Sequence, residues 1–136
     1  MLQLYFLLVL LNLLAGLSLA SDFMGEKLPS TAPLFKLISS PGIRGLLGIL
    51  AFLVGFFSLI IVLPGDVPVV GDLLPAISAL FTGTGLVLEY YQSKTTTQTN
   101  LVEKLDGFLL KNKTFFGLLA IILGVLHFIL PTVMFI

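Results

Sequence analysis

Three stretches of this chain, residues 1–21, 45–65 and 114–136, each run for more than twenty residues without a charged side chain. A bilayer core about 30 Å thick needs about 20 apolar residues in a helix, so each stretch has the length of a membrane crossing. A fourth, residues 73–88, is bounded by Asp72 and Glu89 and reaches that length when extended from Gly71 to Tyr91. The runs are continuous rather than alternating. That selects helices over barrel strands, because backbone exposed to lipid must satisfy its own hydrogen bonds. The sequence therefore predicts an all-α membrane protein with four transmembrane helices.

Composition narrows the function classes. Of 136 residues, 57% are hydrophobic and 10% charged, where an ordinary soluble domain carries about 25% charge. A soluble enzyme, a disulfide scaffold and a disordered tail are excluded, the second also by the lack of cysteine. Zero net charge and the absence of a basic block leave no footprint for nucleic acid. The length allows one transmembrane domain, residues 1–136. Ser18 and Ala20 sit where a signal peptidase would look for small residues, but no Lys or Arg precedes Lys27, so the positive n-region is missing and the first span is expected to be retained.

Orientation follows from the cations. Lys27, Lys36 and Arg44 lie in or at the end of the first connection, and Lys94, Lys104, Lys111 and Lys113 in the third. The second connection carries only Asp66 and Asp72. The positive-inside rule then places connections one and three in the cytoplasm and both termini outside, as in a bacterial inner (cytoplasmic) membrane protein. Tyr5 at the outer face and Tyr90 with Tyr91 at the inner one suit interfacial anchoring.

The chain also resembles itself. Residues 48–55, GILAFLVG, align with residues 117–124, GLLAIILG, at an offset of 69. The same offset carries Arg44 onto Lys113 and Gly16 onto Gly85. This predicts two tandem helical hairpins of the same orientation, repeat 1 over about residues 1–66 and repeat 2 over about 70–136, related by an axis along the membrane normal. Each outward-going span carries a stripe of small residues: Gly48, Ala51, Gly55 and Ser58 in one, Gly117, Ala120, Gly124 and His127 in the other. These positions fall on one face of a helix. Small residues there let backbones approach closely, which drives association in lipid. Ala76, Ala79 and Gly83 offer the third span a matching face, while Phe52, Phe56, Phe57, Phe115 and Phe128 are expected toward lipid or between helices.

The connections have their own patterns. Pro64-Gly65-Asp66-Val67-Pro68 reads as a tight external turn, and Pro64 and Pro131 are expected to end the two striped helices. In the third connection Thr95 to Thr99 reads as an extended linker, followed by a capping box of Asn100 and Glu103. Leu101, Val102, Leu105, Phe108 and Leu109 then recur as the apolar face of a short amphipathic interfacial helix. Pro33 to Ile38 suggests a shorter counterpart in the first connection, stopped by Ser39-Ser40-Pro41-Gly42.

Little catalytic chemistry is on offer. With no Cys and one His, a thiolate nucleophile and a multi-histidine metal site are absent, and no phosphate-binding loop is present. No catalytic residue, metal or cofactor is expected. Asp66 and Asp72 read as solvated loop acids. The intramembrane polar candidates are Asn12, Ser58 and His127, with His127 expected to be neutral and to share a hydrogen bond with Asn12, Ser58 or a carbonyl.

The layout of glycine-rich hairpins, external termini and cytoplasmic connections resembles that of a rotary ATP synthase proteolipid. The resemblance is architectural, since that family's carboxylate midway along the outward-going helix has no counterpart in residues 45–65 or 114–136. The sequence points to a structural, scaffold or accessory-subunit role in the lipid bilayer, through self-association or within a larger membrane complex. The alternative is a small homo-oligomeric channel or transporter with a polar path near His127.

Overall fold

The computed structural model describes residues 2–61, 72–97 and 99–130. These form α1 (Leu2–Leu19), α2 (Ser21–Lys27), a 3-10 turn (Pro29–Thr31), α3 (Ala32–Ile38), α4 (Pro41–Ile60), α5 (Leu73–Lys94), α6 (Asn100–Leu105), a π-helical turn (Asp106–Leu110) and α7 (Lys113–Ile129). The fold is all-helical, with no strand among the described residues. Helices α4 and α5 are each long and apolar enough to cross a membrane. The α1–α2 pair and the α6–α7 pair also qualify if each is counted as one span bent by 75° and 61°, which makes two to four candidate spans.

Local chemistry sets several boundaries differently from expectation. Helix α3 ends at Ile38, before Ser39-Ser40-Pro41-Gly42 as expected, and Pro41 also opens α4 at its first turn, where its missing N–H would have had no helical partner. Helix α4 therefore starts four residues before Gly45, and α5 runs on to Lys94, past the expected end at Tyr91. The residue that caps α6 is Thr99, whose Oγ1 accepts from the Val102 N–H at 3.4 Å, with Asn100 already inside the helix. The proposed apolar face of that segment splits. Leu109 is buried, but Leu101 and Phe108 are exposed. The turn at Pro64–Pro68, Asp66, Pro131 and the tail 132–136 lie outside the described residues.

Packing is built on glycine. Helix α4 lies against α5, and a Cβ added at Gly48 would meet Val87 N at 2.8 Å and the Gly83 carbonyl oxygen at 2.9 Å. One added at Gly55 would meet the Ala76 carbonyl oxygen at 2.8 Å. Helix α7 lies against α1 in the same manner, and a Cβ added at Gly117 would meet the Gly16 carbonyl oxygen at 2.7 Å and Ala20 N at 2.9 Å. Those distances leave no room for a side chain, so both stripes are used inside the chain. The closest seams thus join α4 to α5 and α1 to α7, rather than α1 to α4 and α5 to α7. Between them, Leu8, Leu11, Ala15 and Leu19 of α1 form one core with Leu47, Ala51 and Val54 of α4 and Ala79 and Leu86 of α5. The large side chains point outward: Phe52, Phe56, Phe57, Phe115 and Phe128 are all exposed on the bundle's flank.

Candidate functional site

Antiparallel packing collects polar side chains at the two ends of the bundle. At one end, the bend after α1 carries Ser21 and Asp22 over the first turns of α4 and α7, where Arg44 and Lys113 stand, and Glu89 reaches the same level from α5. Arg44 Nη1 lies 2.8 Å from Glu89 Oε2, and Lys113 Nζ lies 2.6 Å from Asp22 Oδ2 and 3.2 Å from Glu89 Oε1. Arg44 Nη2 also donates to Ser21 Oγ at 2.9 Å, and Ser18 Oγ donates to the Ile38 carbonyl at 2.6 Å. Two cations and two carboxylates cancel. Arg44 and Glu89 are only 15% and 11% exposed, so their attraction is screened less than that of surface pairs. The hydrogen bond from Lys113 holds the Asp22 carboxyl below its ordinary value, against the smaller opposing effect of partial burial, and the positive charges of Lys113 and Arg44 add to the lowering.

At the other end, α1, α5 and α7 bring together Tyr5, Asp72 and His127. His127 is fully buried, its Nε2 lies 3.4 Å from Asp72 Oδ1, and its ring sits 4.6 Å from the Tyr5 ring. Tyr5 Oη donates to the His127 backbone carbonyl at 2.6 Å. Neither imidazole nitrogen makes a hydrogen bond. The expected bond from His127 to Asn12, Ser58 or a carbonyl is therefore not formed. Ser58 Oγ donates to its own helix at Val54, and Asn12 Nδ2 donates to the carbonyls of Leu8 at 3.1 Å and Pro75 at 3.0 Å. Asn12 thereby ties α1 to α5, while its Oδ1 is buried without a donor.

Two further expectations change. Asp72 is not a solvated loop acid: its side chain is 12% exposed, tucked beside His127. Tyr5 does not simply anchor an interface, because its hydroxyl is spent on α7. Among the candidate residues, Gly48, Ala51 and Gly55 gather on α5, and Gly117 and Gly124 on α1, with Gly124 facing Asn12. Ala120 is buried in the second of these seams beside Gly16. The charge network at the first end was missed, although one signal for it is in the sequence: Arg44 and Glu89 each stand alone at the edge of an apolar run, where an isolated charge calls for a partner.

Chemically, the first cluster can fasten helices, and the second sets an imidazole edge 3.4 Å from a carboxylate with no hydrogen bond between them. No group of three or more His, Cys, Asp or Glu suited to a metal ion occurs among the described residues. No curated protein and no solved structure matches this sequence. A family model matches residues 1–127, and by that match the chain belongs to the family it describes.

Proposed function

We propose that this is an integral membrane protein of the bacterial inner membrane, with both termini outside and the connections after α1 and α5 in the cytoplasm, acting as a structural or accessory element without turnover. The observation that carries this reading is the combination of internally consumed glycine seams with a sealed His127. A conduit would need water or a polar path at the imidazole, and the ring is instead closed off by Tyr5, Asp72 and the packed helices. The exposed flank is aromatic and aliphatic, as suits acyl chains or the apolar surface of a larger membrane complex.

A doubled hairpin underlies the fold in this reading. Its support is a coincidence of contacts. Gly48 faces Gly83 and Val87, and Gly117 faces Gly16 and Ala20. A step of 69 residues along the outward-going helices and 67 along the inward-going ones maps the first set onto the second. The same steps carry the pair Arg44–Glu89 onto Lys113–Asp22. Gly16 thus corresponds to Gly83, two residues from the Gly85 that the repeated sequence selects.

The reading is tested in proteoliposomes. Proton flux equal to that of protein-free vesicles, unchanged by His127→Ala, is expected. Flux that requires the protein and disappears in His127→Ala would replace the structural role with transport. Because the chain has no cysteine, single cysteines placed at Lys36 or Lys104 report orientation cleanly and should react only from the cytoplasmic side.

A further inference from the structure

We propose that the cleft between α2 and α3 holds the headgroup of a phospholipid carrying a primary ammonium, as in phosphatidylethanolamine. The inference rests on the membrane reading above, which puts this end of the bundle at the level of the headgroups. The cleft has a volume of about 380 Å³ and is lined by Ser21, Asp22, Gly25 and Glu26 from the α2 side and by Phe35 and Lys36 among others from α3.

Its two walls carry opposite charge. Asp22 and Glu26 are one turn apart on α2 and so share a face, while Lys36 stands on α3. Asp22 Oδ2 accepts from Lys113 but the side chain is still 67% exposed, and neither Glu26 nor Lys36 makes an ion pair among the described residues. Buried Ser21 accepts from Arg44 through its Oγ, which leaves its own hydroxyl hydrogen for an acceptor. A zwitterion whose ammonium donates to Asp22 and Glu26, and whose phosphate accepts from Lys36 and Ser21, satisfies both walls.

The same groups discriminate between headgroups. A trimethylammonium has no N–H to donate to two carboxylates. An anionic headgroup without an amine offers no donor to Glu26, which no cation pairs among the described residues, and sets a negative charge beside it. The source is a lipid rather than a soluble phosphate ester because Phe23, Leu28, Leu34 and Leu37 lie exposed on the same segments, apolar surface for acyl chains.

Gly25 makes the idea testable without disturbing the fold. A Cβ there meets nothing within 4 Å, so the residue borders open space. The full chain is reconstituted in bilayers of equal phosphatidylethanolamine, phosphatidylcholine and phosphatidylglycerol, extracted mildly, and its retained lipid counted by native mass spectrometry. Phosphatidylethanolamine should be retained over each of the others by about tenfold, the worth of one charge-assisted hydrogen bond. Gly25→Phe should abolish that preference with the melting temperature unchanged, and the exposed substitutions Glu26→Gln and Lys36→Met should each reduce it. Equal retention of the three lipids, or a preference that survives Gly25→Phe, overturns the proposal. Displacement of the lipid by equimolar soluble glycerophosphoethanolamine overturns the lipid source. Release of the chain from vesicles by alkaline carbonate would instead overturn the membrane reading; retention there without lipid preference defeats only the headgroup site.

Discussion

The two ends of this bundle hold similar chemistry in opposite states. At the α2 end, Asp22, Arg44, Glu89 and Lys113 form ion pairs with one another and are open in part to water, so that the buried Arg44 Nε and Glu89 Oε2, which make no hydrogen bond, belong to groups already paired by charge. At the far end, His127 and Asn12 are fully buried and keep unpaired polar atoms, with Asp72 at the edge. A paired charge joins helices at a cost already met by its partner, whereas an unpaired buried polar atom weakens the packing around it. The first end is therefore a fastener, and the second is a weak point that the glycine seams hold shut.

The seams are the strongest lever on both ends at once, since α7 carries Lys113 at its start and His127 near its finish. Gly117→Leu would drive a side chain into the Gly16 carbonyl and the Ala20 backbone of α1, with no flexible neighbour able to yield. The expected loss is about 3 kcal/mol or more, a large part of the stability of a domain this size. It should appear as loss of the folded species in mild detergent, and Gly107→Leu, where a Cβ meets nothing within 4 Å, serves as the control. A stable Gly117→Leu protein would mean that α1 and α7 do not make this seam.

Next in size is Glu89→Ala. Glu89 serves two cations, so its removal leaves Arg44 without its carboxylate and Lys113 with Asp22 alone. A half-buried network lies between the exposed and fully buried limits, and about 2 kcal/mol is expected, read as a lowered melting temperature in micelles. A loss no larger than that of Lys104→Ala, whose side chain makes no ion pair among the described residues, would show that the two ends do not differ in the way described.

How much of this the sequence foretold depends on the range of the interaction. Helical runs, their apolar character and the striped faces of Gly48 to Gly55 and Gly117 to Gly124 follow from local composition and periodicity, and they were legible. Boundaries were less so, because Pro41 is equally a stop signal for one helix and the first residue of the next. The partners of Glu89 and His127 were not legible at all. Asn12 and Pro75 are 63 residues apart and Asp22 and Lys113 are 91 apart, and spacing along one helix carries no information about which helix lies across from it. Asp72 misled for the same reason: a charge beside a turn reads as solvated until another helix is laid over it.

A smaller effect probes the sealed end. His127→Leu replaces an imidazole whose two nitrogens make no hydrogen bond by an apolar side chain of similar bulk. The lost contact with Asp72 is offset by relief from burying polar atoms, so stability should stay within about 1 kcal/mol of the parent. Asn12→Leu differs, because it cuts the Nδ2 bond to the Pro75 carbonyl that joins α1 to α5, and about 1 kcal/mol should be lost. If His127→Leu were the more damaging of the two, the imidazole would be a fastener after all.

The smallest effect is a pH dependence, confined to the open end. The hydrogen bond from Lys113 places the Asp22 carboxyl in the folded protein below the ordinary value of 3.8 that it regains on unfolding. A lowered carboxyl favours the fold at every pH above the unfolded value. As pH falls below about 3.8 and through the folded value, the proton taken up cancels the charge that Lys113 needs, and the contribution disappears. Melting temperatures in a nonionic detergent should therefore fall less steeply with acidification for Asp22→Asn than for the parent chain, the gap between the two curves holding constant above about 3.8 and closing as pH falls through the lowered folded value. Added salt should shrink the gap, since Asp22 faces water and its attraction to Lys113 is screened. Parallel curves over the whole range would mean that the bond between α2 and α7 contributes nothing to holding that end together, and the fastening would then rest on Arg44 and Glu89 alone.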